Sequence, residues 1–157
     1  MNNLNRKKHW ENIYNTKAIN DVSWYQPKPE TSLQFIKELN LPKSSNIIDI
    51  GGGDSFLVDN LLDLGYTNIT VLDISKKAIE RAKQRLQKQN ENVKWIVADA
   101  SNFNPTENYD LWHDRAAFHF LTKETEINNY VNSTQNSITQ NGYLIIGTFS
   151  MEGAPKV

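Results

Sequence analysis

The sequence contains no cysteine, which excludes disulfides, thiolate metal sites and thiol nucleophiles together. It has no apolar run near the ~20 residues that cross a bilayer. Its first residues, Met1-Asn2-Asn3-Leu4-Asn5-Arg6-Lys7-Lys8, lack the apolar segment of a secretory signal. Neither sign of charge dominates, since 17 Lys and Arg face 18 Asp and Glu for a formal net charge of −1. Non-specific nucleic-acid binding needs clustered cations against phosphates, so no nucleic-acid partner is expected. Lys76 to Lys88 also carries Glu80 and reads as a solvated helix face. His9, His113 and His119 have no metal-ligand spacing, and no metal is expected. A cytoplasmic protein without membrane attachment fits these absences.

What is present is the composition of one globular core: 157 residues, 38% hydrophobic and 22% charged. Along the chain, short apolar strands alternate with helical spacing. Asn46–Ile50 is an apolar strand that ends in Gly51-Gly52-Gly53, and a helical pattern from Asp54 to Leu64 stops at Gly65. Ile69–Asp73 is a second strand, and Ser75 caps a helix that runs to about Asn90. Val93–Ala98 is a third strand and Tyr109–His113 a weaker fourth. Thr122 caps a further helix, and an Asn141-Gly142 turn leads into a fifth strand, Tyr143–Phe149. Such alternation predicts parallel βαβ units with right-handed crossovers, in a Rossmann-like, doubly wound α/β sheet with helices on both faces.

Residues 1–30 differ in kind from the domain expected over 31–157. Arg6 to Tyr14 has helical character, whereas Ser23-Trp24-Tyr25-Gln26-Pro27-Lys28-Pro29 is held extended by its prolines and reads as an aromatic lid.

Glycines after the first strand of such a sheet let backbone approach a ligand at the carboxyl rim. A dinucleotide fingerprint needs glycine at position 56, which is Phe, and the Walker lysine is absent. Asp49 and Asp54 flank the glycines, and no Lys or Arg lies between Asn46 and Leu64. A ligand bearing an ammonium and a sulfonium matches that charge better than a pyrophosphate does. Asp73 ends the second strand, 22 positions after Gly51, where a carboxylate can accept from ribose hydroxyls; Asp99 repeats the arrangement on the third. Each could be a turn residue taken alone, but three carboxylates at three strand ends are harder to explain that way.

Asp49-Ile-Gly51-Gly52-Gly53-Asp54-Ser55 resembles the acidic glycine-rich loop of class I S-adenosylmethionine-dependent methyltransferases, with Ser55 where a third glycine usually stands. Together with His9-Trp10-Glu11-Asn12-Ile13-Tyr14 and Trp112-His113-Asp114-Arg115-Ala116-Ala117-Phe118-His119-Phe120-Leu121-Thr122, it is similar to a group of small bacterial methyltransferases. More distantly it resembles lysine methyltransferases of an elongation factor and of citrate synthase. The resemblance implies S-adenosyl-L-methionine as cofactor and S-adenosyl-L-homocysteine as product. It implies cofactor contacts from Asp49, Gly51, Gly52, Gly53, Ser55, Asp73, Ile74, Asp99 and Ala100, with the backbone around Gly51 and Gly53 at the methionine portion, Asp49 near its amino group, Asp73 at the ribose, Ile74 on the adenine face and Asp99 at the adenine amino group. The acceptor would be a small molecule or a protein lysine.

Tyr14, Trp24 and Tyr25 are candidates for closing over the cofactor, because aromatic faces attract a sulfonium or an amine; Trp10 reads better as packing. Asp114 is the candidate catalytic residue, as substrate-orienting group or base. His113 counts among the cofactor contacts, although alternation turns it away from Asp114, which favours a structural part. Arg115 suits a carboxylate of cofactor or substrate, or a surface acid. Class I methyltransferases usually have seven strands, and the last two are missing here, so the chain reads as a minimal variant or one cut within the domain. The fifth strand would then be an open edge able to self-associate. The rival functions are a non-catalytic cofactor-binding module and, less well supported, an NAD-dependent oxidoreductase.

Overall fold

The computed structural model describes residues 3–115 and 117–150. Five strands, β1 (Asn46–Ile50), β2 (Asn68–Asp73), β3 (Val93–Val97), β4 (Tyr109–Arg115) and β5 (Ile138–Gly147), form one sheet in the order β3-β2-β1-β4-β5. Every pairing is parallel. The five helices are α1 (Asn3–Thr16), α2 (Glu30–Glu38), α3 (Leu57–Asp63), α4 (Lys76–Leu86) and α5 (Glu124–Ser137). Among the described residues the sheet is Rossmann-like and has five strands.

Alternation within each strand feeds two cores. Ile47, Ile69, Val71 and Leu111 pack with Leu33 and Ile36 of α2, Leu57, Val58 and Leu61 of α3, and Ile79 and Leu86 of α4. Ile48, Ile50, Leu72, Tyr109 and Trp112 pack on the other face with Leu121 and Tyr130. Each such aliphatic side chain contributes about 1.5–3 kcal/mol when fully buried.

Several elements depart from the sequence pattern. The helix expected from Asp54 begins at Leu57, because 51–56 are drawn into a loop over β1 and β2: Gly51 and Gly52 both donate to the Leu72 carbonyl. The fourth strand runs two residues further, to Arg115. Lys123, not Thr122, stands at the N-cap of α5. The fifth strand begins at Ile138 rather than after a turn. Residues 139–142 bulge out between the Tyr109–Ile138 and Leu111–Tyr143 pairs. β5 is an edge strand with Tyr143, Leu144 and Ile146 exposed. No described helix is long and apolar enough to cross a membrane.

Strand order reverses between β1 and β4, which opens a crevice at their carboxyl ends.

Candidate active site

A cavity of about 280 Å³ occupies that crevice. Its floor is the loop after β1. Gly51 adopts φ +69°, which a side chain would strain, and a Cβ on Gly52 would sit 2.1 Å from Oδ2 of Asp49. Only glycine lets this backbone cross the carboxylate so closely.

Asp49 is 2% exposed. Its Oδ1 lies 2.7 Å from His113 Nδ1, and His113 Nε2 lies 2.9 Å from Ser32 Oγ on α2. The network assigns the tautomer: Nδ1–H donates to the carboxylate, and the Ser32 hydroxyl donates to Nε2. A Ser-His-Asp chain invites comparison with a nucleophilic triad, but its orientation is reversed. Asp49 and His113 line the cavity, whereas Ser32 is buried outside it. The chain therefore fixes the carboxylate, and it leaves Asp49 Oδ2 buried without a hydrogen-bond partner.

Asp73 accepts from the Gly53 N–H (3.0 Å) and the Ser75 N–H (2.8 Å). Burial pushes its carboxyl up to about 6 against those hydrogen bonds, with Asp49 and Asp54 adding repulsion. Asp99 caps a short 3-10 turn by accepting from the Ser101 N–H and hydroxyl, and pairs with Arg6 at 3.1 Å. Asp49, Asp73, Ile74, Asp99 and Ala100 all line the cavity, as do Gly51, Gly52, Ser55, Tyr14, Trp24 and His113.

The aromatic cover is held by charge. Glu11 of α1 accepts from the Lys76 and Lys77 N–H groups (2.7 and 3.2 Å) and the Ser75 hydroxyl (3.0 Å), so it caps α4 beside Ser75 itself. Arg81 of α4 returns the bond, donating to the Tyr14 and Lys17 carbonyls at the end of α1. Arg6 bridges Asp99 and Glu126 of α5 at 3.1 and 2.7 Å. So anchored, α1 sets Trp10 edge-on to Trp24 and Phe120, at ring-centroid distances of 5.5 and 5.0 Å. Burial, with Asp73 and Asp54 nearby, raises the Tyr14 phenol far above its ordinary range, so it remains a neutral donor.

The lining of the cavity differs from the sequence reading at four residues. Asp114 is fully buried on the opposite face of β4. It accepts from the Tyr130 hydroxyl (2.6 Å) and the Ala117 and Phe118 N–H groups, and it is not among the cavity-lining residues. Strand alternation brings His113 to the cavity instead. Burial raises the Asp114 carboxyl, and its hydrogen bonds from Tyr130 and from the Ala117 and Phe118 N–H groups, which tie it to the chain after β4, oppose the rise. Tyr25 packs edge-on against Phe56 and does not line the cavity. Gly53 does not line it either; it reaches the site only through its N–H to Asp73. Trp10 packs edge-on against Trp24 and Phe120, as the sequence reading had it, and also lines the cavity.

The charge argument for the glycine loop changes as well. Asp54 is neutralised by Arg81 and Arg85 of α4, each 3.2 Å away. Cations distant in sequence therefore reach the loop, and because Arg6 pairs with Asp99 as well, the acids of the wall without an arginine partner are Asp49 and Asp73. Arg6, Ser23, Gln26, Phe120 and Phe149 also line the cavity without a cofactor expectation from sequence, and Arg115, expected at a carboxylate of cofactor or substrate or at a surface acid, lines it too. The spacing of Arg6, Trp10 and Tyr14, four apart on a helix, was the signal for a shared face. Among the described residues no cluster of three or more His, Asp or Glu could hold a metal ion.

A family described as a methyltransferase domain matches residues 41–156. Malonyl-[acyl-carrier protein] O-methyltransferase 1 of Ilyobacter polytropus is 32% identical over 92 residues, 58% of this chain and 34% of its own length. EEF1A lysine methyltransferase 2 of Danio rerio is 26% identical over 160 residues, covering 91% of this chain and 68% of that one. The chain thus spans about a third of the first relative and about two thirds of the second. Among solved structures, the N-methyltransferase NodS of Bradyrhizobium japonicum, in complex with S-adenosyl-L-homocysteine, superposes with a TM-score of 0.73 at 22% identity, covering 90% of this chain and 72% of that one.

Proposed function

We propose that this chain, which belongs to the methyltransferase-domain family, binds S-adenosylmethionine in the cavity and transfers its methyl group to an amine or other nucleophile. The observation that carries the reading is Asp49 Oδ2, a buried carboxylate oxygen in the cavity wall with no partner of its own. A buried unsatisfied acceptor is costly, and a ligand ammonium satisfies it with a charge-assisted hydrogen bond that a pyrophosphate cannot provide. The loop at Gly51 and Gly52 fits the same group, since both residues line the cavity and only glycine lets their backbone lie so close to Asp49 and Ala117 there.

When bound, S-adenosylmethionine supplies an electrophilic methyl on a sulfonium. The chain's own residues hold and shield. Asp49 and the backbone of Gly51 and Gly52 take the methionine end. Asp73 accepts from the ribose hydroxyls with its remaining lone pairs, and Ile74, Asp99 and Ala100 border the adenine. The 1–30 segment serves as the lid of the 31–157 domain, with Trp10, Tyr14 and Trp24 excluding water while their faces favour a cation. Methyl transfer is an in-line displacement, so orientation can carry the rate without a base.

Among acceptor classes we favour a protein lysine for first testing, because the relative that spans 91% of this chain carries that activity in its name. Pairing of copies through the open β5 edge belongs to the same reading. The decisive experiment is calorimetry with S-adenosylhomocysteine and with NAD. Binding of the first alone supports the proposal, and no affinity for it overturns it. Transfer of labelled methyl groups to cell proteins, read by mass spectrometry, then separates an enzyme from a module that only binds.

A further inference from the structure

Two arginines line the cavity, and they differ in their partners. Arg6 is committed to Asp99 and Glu126. Arg115 meets only neutral acceptors, the Gln26 side-chain oxygen and the Trp24 carbonyl (3.3 Å), and forms no ion pair among the described residues. A guanidinium has five N–H donors, so capacity remains on a half-buried cation facing the cavity. Its position follows from register. His113 stands opposite Asp49 in the β1–β4 pairing, and Arg115 follows on the same face, about 6.6 Å further toward the rim. Burial lowers the Arg115 guanidinium from its ordinary value, and Asp49 is the charge that opposes this, so the two sense each other without pairing.

One wall of the cavity therefore offers an unpartnered carboxylate oxygen and, one pleat away, a cation without a counter-ion. The ligand chemistry that satisfies both is an ammonium and a carboxylate on one carbon. We propose that Arg115 is a carboxylate-binding residue, and that Asp49 and Arg115 together read a zwitterionic amino-acid end. This rests on the methyltransferase reading, in which the methionine end of the cofactor brings that zwitterion. A carboxylate on the acceptor is the other source of the same chemistry. The planar fork of an arginine can engage both oxygens of a carboxylate, which a lysine cannot do.

The test compares S-adenosylhomocysteine with its amine analogue lacking only the carboxylate, by calorimetry on the wild type, Arg115→Gln and Arg115→Lys. The wild type should prefer S-adenosylhomocysteine by about 10- to 100-fold. Arg115→Gln should bind the two equally, with the amine analogue bound as in the wild type, which also certifies the fold. Arg115→Lys should recover part of the preference. In a second arm, malonate is titrated into protein saturated with S-adenosylhomocysteine; binding that disappears in Arg115→Gln assigns the residue to an acceptor carboxylate. If Arg115→Gln binds S-adenosylhomocysteine and malonate as the wild type does, the inference is overturned. If the wild type binds neither S-adenosylhomocysteine nor the amine analogue, the methyltransferase reading itself has failed.

Discussion

Asp49 Oδ1 lies 2.7 Å from His113 Nδ1, across two neighbouring strands whose register sets these residues opposite each other. That bond uses one carboxylate oxygen and leaves the other buried under Gly52 without a partner. Asp49→Asn keeps an oxygen for the imidazole N–H but removes the charge. S-adenosylhomocysteine affinity should fall about 10- to 100-fold by calorimetry, while the thermal midpoint of the free protein should not fall. An unchanged affinity would mean that Oδ2 meets no ligand ammonium.

The Asp114–Tyr130 bond belongs to the other face of the sheet. Tyr130→Phe removes the hydroxyl that donates to Asp114 and accepts from the Trp112 indole N–H (3.0 Å). Denaturant unfolding should show a loss of about 1–3 kcal/mol. Cofactor affinity should stay at the wild-type value, and a large drop would return Asp114 to the binding site.

Arg6 joins two carboxylates with side-chain exposures of 14% (Asp99) and 9% (Glu126). Arg6→Ala strands both in a poorly solvated place, at a cost of about 3–5 kcal/mol. Arg6→Met with Glu126→Leu should restore part of that stability, because one uncompensated charge goes with the arginine. Equal stability of the two variants in urea would show that the triad is not what anchors α1.

Asp73 supplies the pH dependence. Burial pushes its carboxyl up to about 6 from an ordinary 3.8. The unfolded chain ionises first as pH rises, so the stability contributed by this group is present below its ordinary value and is lost as pH passes through about 6. Asp73→Asn should therefore gain on the wild type in thermal midpoint between pH 4 and 7. An ionised carboxylate accepts from ribose hydroxyls more strongly than a protonated one, so S-adenosylhomocysteine binding should strengthen through the same interval in the wild type and stay flat in the variant.

A Cβ at Gly52 is incompatible with Asp49 Oδ2 at 2.1 Å. Gly52→Ala must displace the loop or the carboxylate, and calorimetry should find S-adenosylhomocysteine binding reduced at least about tenfold. Wild-type affinity in this variant would place the ligand elsewhere.

The sequence by itself determined the sheet and its acidic rim. Period-two and near-continuous apolar runs can bury their faces only as covered strands, and the carboxylates that end β1, β2 and the β3 loop reach one rim because parallel strands align their carboxyl ends. Local pattern failed where partners are distant. Whether His113 or Asp114 faces the cavity depends on which face of β4 meets α2 and which meets α5, and alternation says only that they differ. The β5 bulge is set by pairing with β4. The tertiary structure alone decided that Arg81 and Arg85 neutralise Asp54, that Arg6 holds Asp99, and that Arg115 stays without a counter-ion beside Asp49. Coulomb interactions depend on separation in space, and chain order does not encode that separation until the helices are packed.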